Sequence, residues 1–91
     1  ILIVINNNNS WGNDEFHQRN IARNRGRPVE NAWIGQRMAE PATDYATVVR
    51  GYGGWAEGPI EDPAKLTEAF NRAVAQVEKG NVAVVDVRTA L

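Results

Sequence analysis

The densest set of ligand-binding groups in the sequence is Asn6-Asn7-Asn8-Asn9-Ser10, with Trp11-Gly12 directly behind it. Each asparagine offers one neutral carbonyl oxygen and two N–H donors. A main-chain carbonyl in a tight turn adds a second kind of neutral oxygen. Mg²⁺ and Ca²⁺ take such oxygens, and Mg²⁺ usually completes its shell with the phosphates of a bound molecule. An aliphatic strand ending in these residues suits the anchoring of a metal-diphosphate group. The same residue types also build an ordinary asparagine-rich turn, and composition alone leaves both readings open.

Other candidates are scattered. His17 is the only histidine; it suits proton transfer near neutral pH or a plain exposed position. No acidic residue lies between Phe16 and Val29, whereas His17, Arg19, Arg23, Arg25 and Arg27 fall close together. Such a cluster can be a solvated face pairing with a neighbouring domain. It can also grip a diphosphate or carboxylate. It could bind nucleic acid, although no aromatic platform is interleaved. Trp11 and Trp33 are either walls of an apolar pocket or buried packing. Asp86 lies within a second aliphatic run, and a structural hydrogen-bonded role is expected for it.

The elements that must position these groups follow from patterning. Ile1 to Ile5 is an uninterrupted aliphatic run, which predicts a central strand buried on both faces of a parallel sheet. The carboxyl end of such a strand is where ligands bind in open α/β sheets. A helix is expected over Asp14–Asn24, stopped by Gly26 and Pro28. Val29–Pro41 reads as a loop or short irregular helix. In the next helix Thr43 is the expected N-cap and Asp44 sits in the first turn. Tyr45, Val48, Val49 and Tyr52 form its expected core stripe, and Gly51 and Gly53-Gly54 end it. Trp55-Ala56-Glu57 reads as a short strand cut by Gly58-Pro59.

Asp62-Pro63 is a cap followed by proline at the first helical position. It opens a helix with Leu66, Phe70, Val74 and Val77 inward, and Glu68–Arg72 is a favourable outward pair. Gly80-Asn81 closes it, and Val82–Val87 is the last strand. The order β–α–loop–α–β–α–β favours parallel strands.

Length and composition bound the function. The chain has 91 residues, 43% hydrophobic and 23% charged, enough for one small soluble domain. A net charge of −1 gives no general attraction to nucleic acid. With no cysteine there is no disulfide framework or thiolate metal site. The opening apolar run is too short to span a membrane and has no basic leader. Starting at Ile1 in mid-strand, the sequence reads as part of a longer polypeptide. The piece is expected to be marginal alone unless another chain or segment completes its sheet.

The run Ile3-Val4-Ile5-Asn6-Asn7-Asn8-Asn9-Ser10-Trp11-Gly12 resembles the Asn-Asn half of the motif of thiamine diphosphate-dependent enzymes. Asn13–Gln18, Gly26–Asn31 and Trp33-Ile34-Gly35 are similar to the acetolactate synthase-like branch, and the likeness continues to the end of the chain. The resemblance implies an α/β fold, a parallel-sheet three-layer sandwich forming the C-terminal part of a thiamine diphosphate-binding domain. Placing the family's aromatic-glycine pair on Trp11-Gly12 puts its Asn-Asn on Asn7 and Asn8; Asn6-Asn7 is the alternative register. The resemblance then implies that the Asn8 amide oxygen and the Ser10 main-chain carbonyl are Mg²⁺ ligands, with Asn7 and Asn9 as outer amides.

Asn7, Asn8, Ser10, Trp11 and Gly12 would be the cofactor-contacting set. The family's Gly-Asp-Gly segment and its activating glutamate are not matched, and Glu15 does not replace the latter. The chain alone should not catalyse. The implied enzyme acts on a 2-keto acid, in the cytoplasm, as a homodimer or homotetramer, with no nucleic-acid or membrane partner. The alternative is a non-catalytic module that grips an anion or a protein through its arginine-rich segment.

Overall fold

A computed structural model describes residues 1–90. In chain order the elements are β1 (Leu2–Asn7), α1 (Gly12–Asn24), α2 (Tyr45–Gly51), β2 (Trp55–Ile60), a 3₁₀ turn (Pro63–Lys65), α3 (Leu66–Glu78) and β3 (Ala83–Arg88). The chain divides into two compact units, residues 1–8 with 44–90, and residues 9–43.

The first unit is built on a parallel sheet in the order β1-β3-β2. Successive strand residues point to opposite faces, and the core follows that alternation. On one face Val85 and Ala83 pack with Ala69 and Ala73 of α3 and with Ile60. On the other, Val84 packs with Ala46 of α2 and with Ala56. The sheet therefore lies between two helices, the three-layer α/β arrangement expected. Alanines at the contact points let each helix approach the strands closely: Ala46, Ala69 and Ala73 are all fully buried.

Several expectations need correction. β1 was expected to be central and covered on both faces. Among the described residues it pairs only with β3, at the edge of the sheet, and Ile3 and Val4 are 44% and 49% exposed. The central place belongs to β3, whose Ala83–Asp86 stretch is buried throughout. The apolar stripe of α2 is core only in part: Val49 packs beside the buried Ala46 and Tyr45 is half-buried, whereas Val48 and Tyr52 are exposed. Its N-cap is Asp44, which accepts from the Thr47 amide at 3.0 Å, not Thr43.

β2 is not cut at Gly58-Pro59. It continues to Ile60 through an irregularity between Glu57 and Ile60. In α3 the inward face is Ala69 and Ala73 flanked by Leu66, Phe70 and Val77, while Val74 is exposed. The Asp62 cap is as expected, accepting from the Ala64 amide at 3.0 Å. Arg72 stands 3.8 Å from Glu68 but closes a bidentate pair with Glu57, from β2, instead.

The second unit holds α1, which begins at Gly12, ahead of the predicted Asp14, and gives way to a left-handed Gly26 (φ 62°). Beyond it the chain runs through turns to two antiparallel bridges, Ser10 with Arg37 and Ala39 with Ala42.

Candidate functional site

The asparagine run straddles the end of β1. Asn7 is buried, 5% exposed, and lies in register with Arg88 of β3. Its carbonyl accepts the Thr89 amide at 3.0 Å, and the Asn6 carboxamide oxygen accepts the Thr89 hydroxyl at 2.7 Å. The Asn6 side chain is thus engaged in closing the sheet's carboxyl end. Asn8, half-buried, is the last residue of the first unit's opening segment.

Asn9, the first residue of the second unit, adopts φ 55°. That left-handed conformation is uncommon for a side-chain-bearing residue, and asparagine is among those that tolerate it. The run's composition therefore has a backbone reason at this position. Ser10 is buried, 8% exposed, and sits opposite Arg37. The bridge's two bonds run from the Met38 amide to the Asn9 carbonyl and from the Trp11 amide to the Gln36 carbonyl, both 2.7 Å. In this pattern the facing residues do not bond each other, so neither bond uses the Ser10 carbonyl. The Trp11 carbonyl accepts the Glu15 amide at 3.0 Å, starting α1 one residue after it.

Arg37 ties this segment to α1 a second time. Its Nε donates to Glu15 Oε2 at 3.0 Å and its Nη2 to Glu15 Oε1 at 2.8 Å. Arg19 adds a donor to Oε1 at 2.7 Å. Glu15 is 8% exposed. The Arg37 hydrogen bond is the main reason its carboxyl sits below the usual glutamate range. Burial opposes that shift, and the charges of Arg37 and Arg19 add to it. Arg37 is raised in turn by the same bond.

Sequence reasoning missed this pair. Glu15–Arg19 carries an i,i+4 signal, but Arg37 is 22 residues away in a segment with no periodicity.

The remaining candidates are mostly exposed. Trp11 and Trp33 are 60% and 46% exposed, so neither is buried packing. His17 is exposed and meets the Phe16 ring edge-on at 6.0 Å. Arg23 reaches only Asn20, and Arg25 and Arg27 are exposed with no carboxylate partner among the described residues. Asp86 is wholly buried, yet neither carboxylate oxygen has a hydrogen-bond partner among the described residues, against the expected structural bond.

The donor set can be tested against a metal-bound diphosphate. Among the described residues no three His, Cys, Asp or Glu side chains come together to hold a metal ion. A divalent ion here would rest on amide and carbonyl oxygens, which suits a hard cation whose charge is balanced largely by phosphate. By residue type Asn8, in the first unit, and Ser10, in the second, each carry such an oxygen, so their chemistry fits the group. No helix among the described residues is long and apolar enough to cross a membrane.

A parallel sheet between two helices, with an asparagine run at the end of β1, defines an α/β domain. Over residues 1–87 the chain matches the family described as thiamine pyrophosphate enzyme, C-terminal TPP binding domain, and it belongs to that family. It is therefore a member of a thiamine diphosphate-dependent enzyme family. No curated protein and no solved structure matches it.

Proposed function

We propose that this chain supplies part of the Mg²⁺-diphosphate anchor of an enzyme acting on 2-keto acids, a carboligase or decarboxylase similar to acetolactate synthase. The Asn8 amide oxygen and the Ser10 main-chain carbonyl would be metal ligands, and Asn7, Trp11 and Gly12 would line the cofactor. The carrying observation is the family match over residues 1–87, with Ser10 held opposite Arg37 by backbone bonds on both sides of it. The turn at Asn9 and the buried Asn7 support the same reading.

When bound, thiamine diphosphate supplies a nucleophilic carbon and an electron sink for breaking the bond beside a keto group. The residues of this chain hold the ion and orient the diphosphate. The resemblance also carries the expectation of a cytoplasmic homodimer or homotetramer, completed by the rest of the polypeptide.

Equilibrium dialysis of thiamine diphosphate against the full-length protein tests the reading. Binding should require Mg²⁺ and weaken at least about tenfold in Asn8→Ala, as for a lost metal contact. Mg²⁺-independent binding, or an unchanged Asn8→Ala, would defeat it. One observation favours a second reading, a module gripping an anion or acidic partner: Arg23, Arg25 and Arg27 are exposed without carboxylate partners among the described residues. That module would bind pyrophosphate without Mg²⁺ and lose it in Arg23→Ala/Arg25→Ala.

A further inference from the structure

We infer that the Glu15–Arg37 ion pair is a positioning device for the Ser10 carbonyl and sets the site's preference for Mg²⁺ over larger cations. The inference rests on the proposed metal site. The Ser10–Arg37 contact is an isolated bridge with two backbone bonds, outside any named strand. Two such bonds alone are weak support, since even a complete two-stranded hairpin is marginal in water. What adds to them is the side chain of the residue facing Ser10. Arg37 reaches Glu15 through a planar two-point contact, a geometry that fixes orientation as well as distance.

Glu15 is anchored in the first turn of α1, and its own amide holds the Trp11 carbonyl. The segment Asn9–Trp11 is therefore gripped at the Asn9 carbonyl, the Trp11 amide and the Trp11 carbonyl. All three constraints meet at the Glu15–Arg37 pair or the residues flanking it. Both Glu15 oxygens are in use, with Oε1 shared between Arg37 and Arg19. Removing the carboxylate would leave two guanidinium groups facing each other, and removing Arg37 would leave the bridge without its clamp.

Mg²⁺ demands near-ideal octahedral geometry and short bonds, whereas Ca²⁺ accepts longer and more variable ones. A Ser10 carbonyl that wanders should therefore penalise Mg²⁺ more than Ca²⁺. General destabilisation of the unit would penalise both alike.

The test titrates Mg²⁺ and Ca²⁺ separately into the full-length protein with thiamine diphosphate present, reading cofactor binding by calorimetry. Arg37→Gln, Arg37→Lys and Glu15→Gln are compared with wild type, and hydrogen exchange is read at the Trp11 and Met38 amides. Arg37→Gln should raise the half-saturating Mg²⁺ about tenfold, the usual effect of losing a residue that orients a metal ligand. The Ca²⁺ value should move by less than about threefold, reflecting its tolerant geometry.

Arg37→Lys keeps the charge without the fork and should fall between. It also keeps the test open if Arg37→Gln fails to fold. The two amides should exchange faster in every variant. Equal shifts for both cations, or no shift in Arg37→Lys and Glu15→Gln, would overturn the inference while Asn8→Ala still weakened Mg²⁺-dependent binding. If Asn8→Ala is itself without effect, the metal site fails and the inference falls with it.

Discussion

Replacing Gly58 by alanine should be among the most damaging single-methyl additions in the domain. Gly58 lies within β2 at φ 139°, a conformation that side-chain-bearing residues rarely adopt. Holding alanine there costs about 1–3 kcal/mol. The added Cβ would lie 2.5 Å from the Asp86 carbonyl oxygen and 2.7 Å from the Asp86 Cβ. The first is backbone of the central strand, so β2 and β3 must separate locally; such overpacking costs about 1–3 kcal/mol more. A combined loss of about 4 kcal/mol is expected from these two terms. That is a large share of the roughly 5–15 kcal/mol that holds a domain together.

Urea denaturation, with hydrogen exchange of the β3 amides as a local probe, measures the loss. Gly51→Ala is the matched control. Gly51 ends α2, with nothing within 4 Å of the added carbon, so alanine there should be neutral or gain up to about 1 kcal/mol. A Gly58→Ala protein within about 0.5 kcal/mol of wild type, the range of ordinary surface changes, would refute the close approach of β2 to β3 at Asp86.

Asp62→Ala removes the side-chain acceptor for the Ala64 amide and should cost about 1 kcal/mol in thermal or urea unfolding; no change would mean the cap is idle. Glu57 is held below the ordinary glutamate value of 4.5, chiefly by its hydrogen bond from Arg72, against the opposing effect of burial. A folded-state value below the unfolded one stabilises above the unfolded pKa, and that stabilisation is lost as pH falls through the folded one. Glu57→Gln should therefore be less stable than wild type at neutral pH, and the gap should close on acidification below 4.5. Denaturant midpoints across that range would show it, and a gap independent of pH would contradict it.

The parts of the fold legible in the sequence were those written locally. Asp62-Pro63 announces a helix start because capping and a fixed φ act within three residues. Val82–Val87 announces a buried strand because β3 is covered on both faces by its own domain. The same kind of run in β1 misled: aliphatic residues fit a strand with two covered faces, but among the described residues only one neighbour pairs with it.

In α2 the larger apolar residues drew attention, although only Val49 of them joins Ala46, a residue small enough to allow close approach, against the sheet. At the candidate site, the asparagines stood out by their chemistry. Arg37 did not, because its partner is 22 residues away and only the folded chain brings the two together.

The central claim is that Asn8 and Ser10 hold a divalent ion against a diphosphate. A crystal structure of the full-length protein with Mg²⁺ and thiamine diphosphate tests it most directly. The account predicts Asn8 Oδ1 and the Ser10 carbonyl oxygen each about 2.0–2.1 Å from the ion. A bound ion whose shell contains neither oxygen would contradict it.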